Sequence, residues 1–261
     1  MKVFLPRGLV LAAGSVLIVL LVLPVLVLVL RALTPDFLSS LLNPTVTQAL
    51  RLSLITTGIS LLVTITLGTP VSYLLAHYKF PGRRFLEALL DIPLVLPPVV
   101  AGVGLLLVFG RRGLIGRPLD ELGMSLAFTS VAVVLAQIFV ASPLFIRAMK
   151  AGFSVQSHQL EAAAITLHAS RWRTFWRVTL PLSWPSFVEG CILMWTRALG
   201  EFGATIVVAG SLAGRTRTTP LAIYAALEKD LDVALTLSAL LAIAAFTLLL
   251  LVRRLTERQE A

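Results

Sequence analysis

The sequence predicts an all-α integral membrane protein with six transmembrane helices and a polar cytoplasmic loop between the fourth and fifth. Three observations predict it. Of the 261 residues, 57% are hydrophobic and 13% charged, and the mean hydropathy of +0.94 lies far above that of soluble domains. The apolar residues, mostly Leu, Val, Ala and Ile, gather in runs of about 20 or more, the length of a bilayer-spanning helix and unlike the weak alternation of a membrane β-barrel. The net charge of +9 would point to nucleic acid in a soluble chain, but here the cations sit at the ends of apolar runs, as topology signals do.

Taken in order, the spans are expected at about 8–30, 46–76, 91–110, 125–147, 182–209 and 231–252, in one transmembrane domain over 1–261. The first follows Lys2 and Arg7, is too long for a signal-peptide core, and is read as retained. The second is longer than a bilayer requires, so it tilts or projects beyond the membrane before ending at Tyr78-Lys79-Phe80-Pro81-Gly82. With the N-terminus inside, one side collects Lys2, Arg7, Lys79, Arg83, Arg84, Arg147, Lys150, Arg171, Arg173, Arg177, Arg253, Arg254 and Arg258. The other collects only Arg31, Arg111, Arg112, Arg117, Arg215, Arg217 and Lys229, with Asp120 and Glu121 partly offsetting the third connection. Both termini are therefore expected in the cytoplasm of a multi-pass protein of the cell membrane.

Prolines interrupt the spans at Pro24, Pro70, Pro93, Pro97, Pro98, Pro143 and Pro185. Any one of them is compatible with a simple kink. The cluster Asp91-Ile92-Pro93-Leu94-Val95-Leu96-Pro97-Pro98, followed by Gly102 and Gly104, instead predicts an irregular segment, because the carbonyls it frees need partners inside the protein. Glu189, Arg197 and Glu201 are ionisable groups within the fifth span. Arg197 lies about 22 Å along a helix starting near Leu182, and Glu201 is four residues on, so the two are expected to pair on one face. Cys191 sits in an apolar run and reads as a small buried hydrophobe.

The stretch of about 150–180 is too polar to cross a membrane. Small residues at Ala162, Ala163 and Ala164 allow close approach of another protein, and Arg171, Arg173 and Arg177 alternate with Trp172, Phe175 and Trp176. That composition is one of a docking surface.

This stretch resembles the EAA loop of permeases in ATP-binding-cassette importers. Anchored on Leu180-Pro181, Val178 takes the family's Ile position, His168 its Gly position, and Ala163-Ala164 its paired alanines, while Glu161 falls one residue early with Ala162 in the usual glutamate place. The resemblance implies short coupling helices that enter a groove on an ATPase subunit, with Glu161, Ala162, Ala163, Ala164, His168 and Arg171 as the coupling residues. At the glycine position His168 is expected to take a positive φ unless the turn has shifted, and an exposed histidine in ordinary helical geometry is an equal alternative. Along about 45–225 the chain also resembles the molybdate/tungstate branch. Gly68-Thr69-Pro70, Phe80-Pro81-Gly82, Asp91-Ile92-Pro93, Ala101-Gly102-Val103, Phe109-Gly110, Arg197-Ala198-Leu199-Gly200-Glu201-Phe202-Gly203-Ala204-Thr205 and Thr219-Pro220-Leu221-Ala222-Ile223-Tyr224 carry that likeness.

The resemblance implies one half of a homodimer, separate ATPase subunits and an extracytoplasmic oxyanion-binding protein, with membrane lipid around it and no nucleic acid. A sulfate/thiosulfate permease of the same architecture is the alternative reading. The third and fifth spans would line a largely neutral passage, with Arg197, Gly200, Glu201, Gly203 and Thr205 beside it and hydroxyls such as Thr64, Thr66, Thr69, Ser72 and Ser142 along the interior. Glycine and threonine at such positions equally serve close helix packing.

The chain has no Gly-x-x-x-x-Gly-Lys-Ser/Thr, none of its four lysines follows a glycine, and its three histidines, His77, His158 and His168, fall at cytoplasmic connections. No catalytic residue, metal site or cofactor is therefore expected, and ATP is hydrolysed by another polypeptide. An ion-coupled secondary transporter would need membrane-embedded carriers such as Glu189 or Glu201, but it has no use for an ATPase-docking loop.

Overall fold

The computed structural model describes residues 7–32 and 37–257. Lys2 and Arg258 lie outside the described residues, as do the side chains of Arg7, His158, Arg253 and Arg254. The described chain is helical: α1 (Arg7–Ala32), α2 (Phe37–Leu41), α3 (Pro44–His77), α4 (Arg83–Val95), α5 (Pro98–Phe109), α6 (Gly116–Glu121) and α7 (Ser130–Thr166) come first. They are followed by α8 (Arg171–Thr174), a π-helical turn (Phe175–Thr179), α9 (Leu180–Leu182), α10 (Trp184–Leu199), α11 (Gly203–Ala209), α12 (Thr219–Ala226) and α13 (Leu231–Glu257). Among the described residues, four segments are single helices long and apolar enough to span a membrane: Val10–Ala32, Pro44–His77, Ser130–Ser154 and Leu231–Leu251.

The third expected span, 91–110, is not one straight helix. Its apolar half is α5, while Asp91 belongs to α4, and the two meet at 115° across Leu96 and Pro97. Neither Pro97 nor Pro98 has an N–H to continue the helix, so a new one starts with Pro98 at its first turn. The fifth, 182–209, is likewise two helices, α10 and α11, bent by 60° at Gly200, Glu201 and Phe202. The fourth runs past its expected end at Arg147. α7 continues to Thr166, so the first half of the polar 150–180 stretch is the same helix and not a separate loop. Charged residues do not end a helix by themselves, and here those that mark the expected end are paired: Arg147 Nε lies 2.7 Å from Asp91 and Lys150 Nζ 2.8 Å from Glu87.

α7 is the hub. On one side its Ala132, Val133, Ala136 and Val140 pack with Ala101 and Leu105 of α5 and Ala204 and Val208 of α11. Further along, Phe145, Met149 and Phe153 pack with Met194 and Ala198 of α10. A second core joins Val46 and Ala49 of α3 to Ala222 of α12 and Leu237 of α13. Between α3 and its neighbours runs a buried polar seam. Ser60 Oγ donates to Gln137 Oε1 at 2.9 Å, Gln137 Nε2 to Thr56 at 3.2 Å, Trp195 Nε1 to Thr57 at 2.9 Å, and the Thr219 amide to Ser53 at 2.7 Å. Where no water reaches, each of these groups needs a protein partner, so the seam fixes helix register as well as adding contacts. By contrast α1 leaves Val16, Leu20, Leu23 and their neighbours exposed on the outside of the bundle, as a lipid-facing helix does.

Candidate functional site

α7 ends in a turn whose hydrogen bonds define it. The Leu167 amide, bonded to the Ala163 carbonyl at 3.1 Å, ends the ordinary helical ladder, and the Ala169 amide donates to the Ala164 carbonyl at 3.1 Å, the six-to-one bond of a Schellman-type closure with His168 at the left-handed position usually given to glycine. His168 has φ +62°, which decides for the glycine-like conformation over the ordinary helical geometry that is its equal alternative in the sequence. The hydroxyl of Ser170 then accepts from the Arg173 amide at 3.3 Å and caps α8.

The expected coupling residues divide into two groups. Ala162 and Ala163 are exposed on α7, Ala164 is half-buried, and His168 and Arg171 are exposed on the turn and on α8. Glu161, expected to fill a partner's groove with them, instead faces inward and is 9% exposed. Its carboxylate lies 3.1 Å from His77 Nε2 and accepts the Thr179 hydroxyl. Burial without partners would be prohibitive for a carboxylate, and these two bonds from distant elements compensate for it. The helix–turn–helix is therefore fastened to the bundle by Glu161, with the end of α3 on one side and the π-helical turn on the other.

Aromatic rings thicken the same joint. Tyr73 stacks on His77 with centroids 4.1 Å apart and meets Phe153 and Phe175 edge-on at 5.6 Å each. Sequence reasoning missed His77, Tyr73 and Thr179. His77 had a local signal in lying one helical turn from Tyr73, but its partner Glu161 is 84 residues away.

At the break between α10 and α11 the structure brings together Arg197 and Glu201. Arg197 Nη1 is 2.7 Å from Glu201 Oε2, and the Glu201 side chain is 1% exposed. The other carboxylate oxygen accepts the Ala204 amide at 2.8 Å. Glu201 thus neutralises the arginine and caps α11, whose first-turn amides have no partners within the helix. Gly203 abuts α5: a Cβ added there would come within 2.6 Å of Pro98 Cβ, and one on Gly102 within 2.7 Å of Val207 Cβ. Thr205 is fully buried and its hydroxyl, like those of Thr64 and Thr69, has no hydrogen-bond partner among the described residues. Gly200 is exposed at the break. Ser72 is an interior hydroxyl as expected, fully buried and donating to Gly68 and Ile146 between α3 and α7, whereas Thr66 is exposed and bonds its own helix.

No group of three His, Cys, Asp or Glu is placed to hold a metal among the described residues. The arrangement consists of a surface-presented helix–turn–helix tied to a bundle with two broken apolar segments, the architecture of a membrane-embedded transport component. The chain belongs to the family of binding-protein-dependent transport system inner membrane components, which its residues 68–261 match.

Its curated relatives are permeases. A molybdenum transport system permease protein ModB of Mycobacterium tuberculosis is 42% identical over 228 residues, covering 87% of this chain and 86% of that one. The protein of the same name from Escherichia coli K12 is 42% identical over 182 residues, 69% of this chain and 80% of the other. A probable sulfate transport system permease protein cysT of Chlorokybus atmophyticus is 36% identical, covering 82% and 76%. Among solved structures, a bacterial transporter for import of the acidic polysaccharide alginate superposes with a TM-score of 0.70 at 16% identity, covering 97% of this chain and 96% of that one. The methionine transporter MetNI in an inward-facing form gives 0.62 at 18% identity, with coverages of 82% and 95%. At such identities the structural likeness concerns the fold.

Proposed function

We propose that this chain is the permease subunit of an ATP-driven importer that carries molybdate or tungstate across the cytoplasmic membrane. The observation that carries this reading is the 42% identity to a molybdenum transport permease over 87% of the chain. On it, the two bent helix pairs each count as one span, giving six with both termini cytoplasmic. Two copies form the transporter, because each chain presents a single helix–turn–helix and importers of this class use two ATPase subunits. The exposed Ala162 and Ala163, with His168 and Arg171 beyond them, face the ATPase, and Glu161 holds that surface in place.

The permease itself makes and breaks no bond. ATPase closure moves the docked segment, and alternating exposure of a passage at the dimer axis carries an oxyanion delivered by an extracytoplasmic binding protein. With Arg197 neutralised by Glu201, that passage has no strong cationic trap, which suits a site that must release a doubly charged ion. Selectivity then lies chiefly in the binding protein. A sulfate-type permease is the second reading, supported by the 36% identity to the probable sulfate transport system permease protein of Chlorokybus atmophyticus.

The test is reconstitution of the permease with its ATPase and binding protein in proteoliposomes. Uptake of radiolabelled molybdate that needs ATP, stops with a catalytically dead ATPase and withstands excess sulfate supports the reading. Uptake indifferent to the ATPase restores the secondary-transporter alternative, and displacement by sulfate transfers the chain to the sulfate type.

A further inference from the structure

The charged residues of α4 and of the middle of α7 take no part in the site described above, yet they form a ladder. Glu87 Oε1 lies 2.8 Å from Lys150 Nζ and 2.8 Å from Arg83 Nε. One turn further along α4, Asp91 Oδ1 lies 2.7 Å from Arg147 Nε. Two rungs thus join α4 to α7, one at each of two successive turns.

Apolar packing fixes α4 only in part. None of its thirteen residues is fully buried, and Leu86, Leu90, Pro93 and Leu94 are half-buried, so the ion pairs are needed to set its position. Beyond the ladder, the elbow of α4 and α5 stands over a cleft of about 330 Å³ whose walls include Leu89 and Pro93 of α4, Leu105 of α5, and Ser142 and Pro143 of α7. The elbow itself turns by 115° at two residues that have no amide hydrogen, Pro97 and Pro98. Past the elbow, α5 is locked to α11 by the close approaches at Gly102 and Gly203. A continuous line of contacts therefore runs from the docking half of α7, through two ion pairs, into α4, round a hinge, and on to the α5–α11 pair beside the proposed passage.

We propose that Glu87–Lys150 and Asp91–Arg147 are a coupling clasp that transmits displacement of the docking half of α7 to the α4–α5 elbow, making these four positioning residues for transport. The proposal rests on the reading of the chain as an ATPase-driven permease. Because the rungs are partly exposed, with Glu87 at 26% and Asp91 at 33%, they are matters of charge complementarity more than of folding, and a swapped pair can replace them.

The experiment uses the whole complex of permease, ATPase and binding protein in proteoliposomes and reads the molybdate transported per ATP hydrolysed. Glu87→Lys, Lys150→Glu, Asp91→Arg and Arg147→Asp are compared with the two exchanged pairs. Each single reversal is expected to keep the ATPase subunit bound while lowering transport per ATP about tenfold, within the usual range of coupling energies. The Asp91–Arg147 exchange is expected to regain most of it, and the Glu87–Lys150 exchange only part, because Arg83 also pairs with Glu87 and then faces a like charge. An unchanged ratio in the single reversals, or an exchanged Asp91–Arg147 pair that assembles without regaining coupling, overturns the clasp. Should a reversal fail to assemble, Glu87→Gln with Asp91→Asn keeps size and removes charge, and an unchanged ratio there overturns it equally. A wild-type complex without ATP-dependent uptake removes the functional reading and the clasp with it, whereas normal wild-type uptake with coupled single reversals removes the clasp alone.

Discussion

His168 holds a backbone conformation that costs a non-glycine residue about 1–2 kcal/mol, at φ +62° in the turn that closes α7. Histidine is among the side chains that tolerate it and a β-branched one is not. His168→Gly is therefore expected not to lower the thermal unfolding midpoint of the purified permease, while His168→Val destabilises it by about 1–2 kcal/mol. A midpoint raised by valine would mean that the turn is not held in this form. Glu161 poses a different problem, since its buried carboxylate serves both His77 and Thr179. Glu161→Ala is expected to cost about 1–3 kcal/mol by orphaning those groups and to expose the 167–170 turn to protease, with Glu161→Gln less severe because it keeps an acceptor oxygen. Equal cleavage of wild type and Glu161→Ala would remove the fastening role. The two residues were unequally legible. The turn at His168 follows from its position in a local pattern, whereas nothing near Glu161 in the sequence says that the end of α3 will meet it.

Helices were legible as apolar blocks, because a run of about 20 hydrophobic residues must bury or face lipid wherever it lies. Their breaks were legible only in part. Pro97 and Pro98 announce an interruption, but the 115° between α4 and α5 depends on where α7 and α11 stand. At Gly200–Phe202 the i, i+4 pairing of Arg197 with Glu201 reads the same in a continuous helix, and the bend is seen only when the second carboxylate oxygen of Glu201 caps the Ala204 amide. Arg197→Leu leaves that buried carboxylate without its cationic partner, and is expected to cost about 3–5 kcal/mol, read as loss of monodisperse permease after extraction. Adding Glu201→Gln to Arg197→Leu should recover much of the loss, and no recovery would show that the ion pair is not the reason. Gly203→Ala tests the adjoining contact. With Pro98 Cβ 2.6 Å from the added methyl, overpacking is expected to cost about 1–3 kcal/mol and to act on stability before transport. A fully stable Gly203→Ala permease with reduced uptake would instead favour glycine as a lining residue of the passage.

At the scale of the whole molecule, the bundle separates a rigid interior from a presented surface. The polar seam of Ser53, Thr56, Thr57, Ser60, Gln137, Trp195 and Thr219 and the aromatic joint around Tyr73 fix the base from which α7 extends. Ala162 and Ala163 are exposed at its far end, so a change there should leave the fold intact. Ala163→Glu places a charge in a contact proposed to be close, and overpacking alone is worth about 1–3 kcal/mol, roughly 5- to 150-fold in ATPase affinity. The expected result is normal insertion and thermal midpoint, loss of the ATPase subunit on purification, and no ATP-driven uptake, whereas Ala163→Ser is tolerated. A dimer carrying Ala163→Glu in only one differently tagged copy extends the test to the assembly. If both docking segments are needed, that mixed dimer retains ATPase at one end and transports far less than half as well as wild type. Transport at about half the wild-type rate, with each copy acting alone at 1:1 stoichiometry, would mean that the two halves work independently, and normal uptake with ATPase retained at both ends would take Ala163 out of the interface.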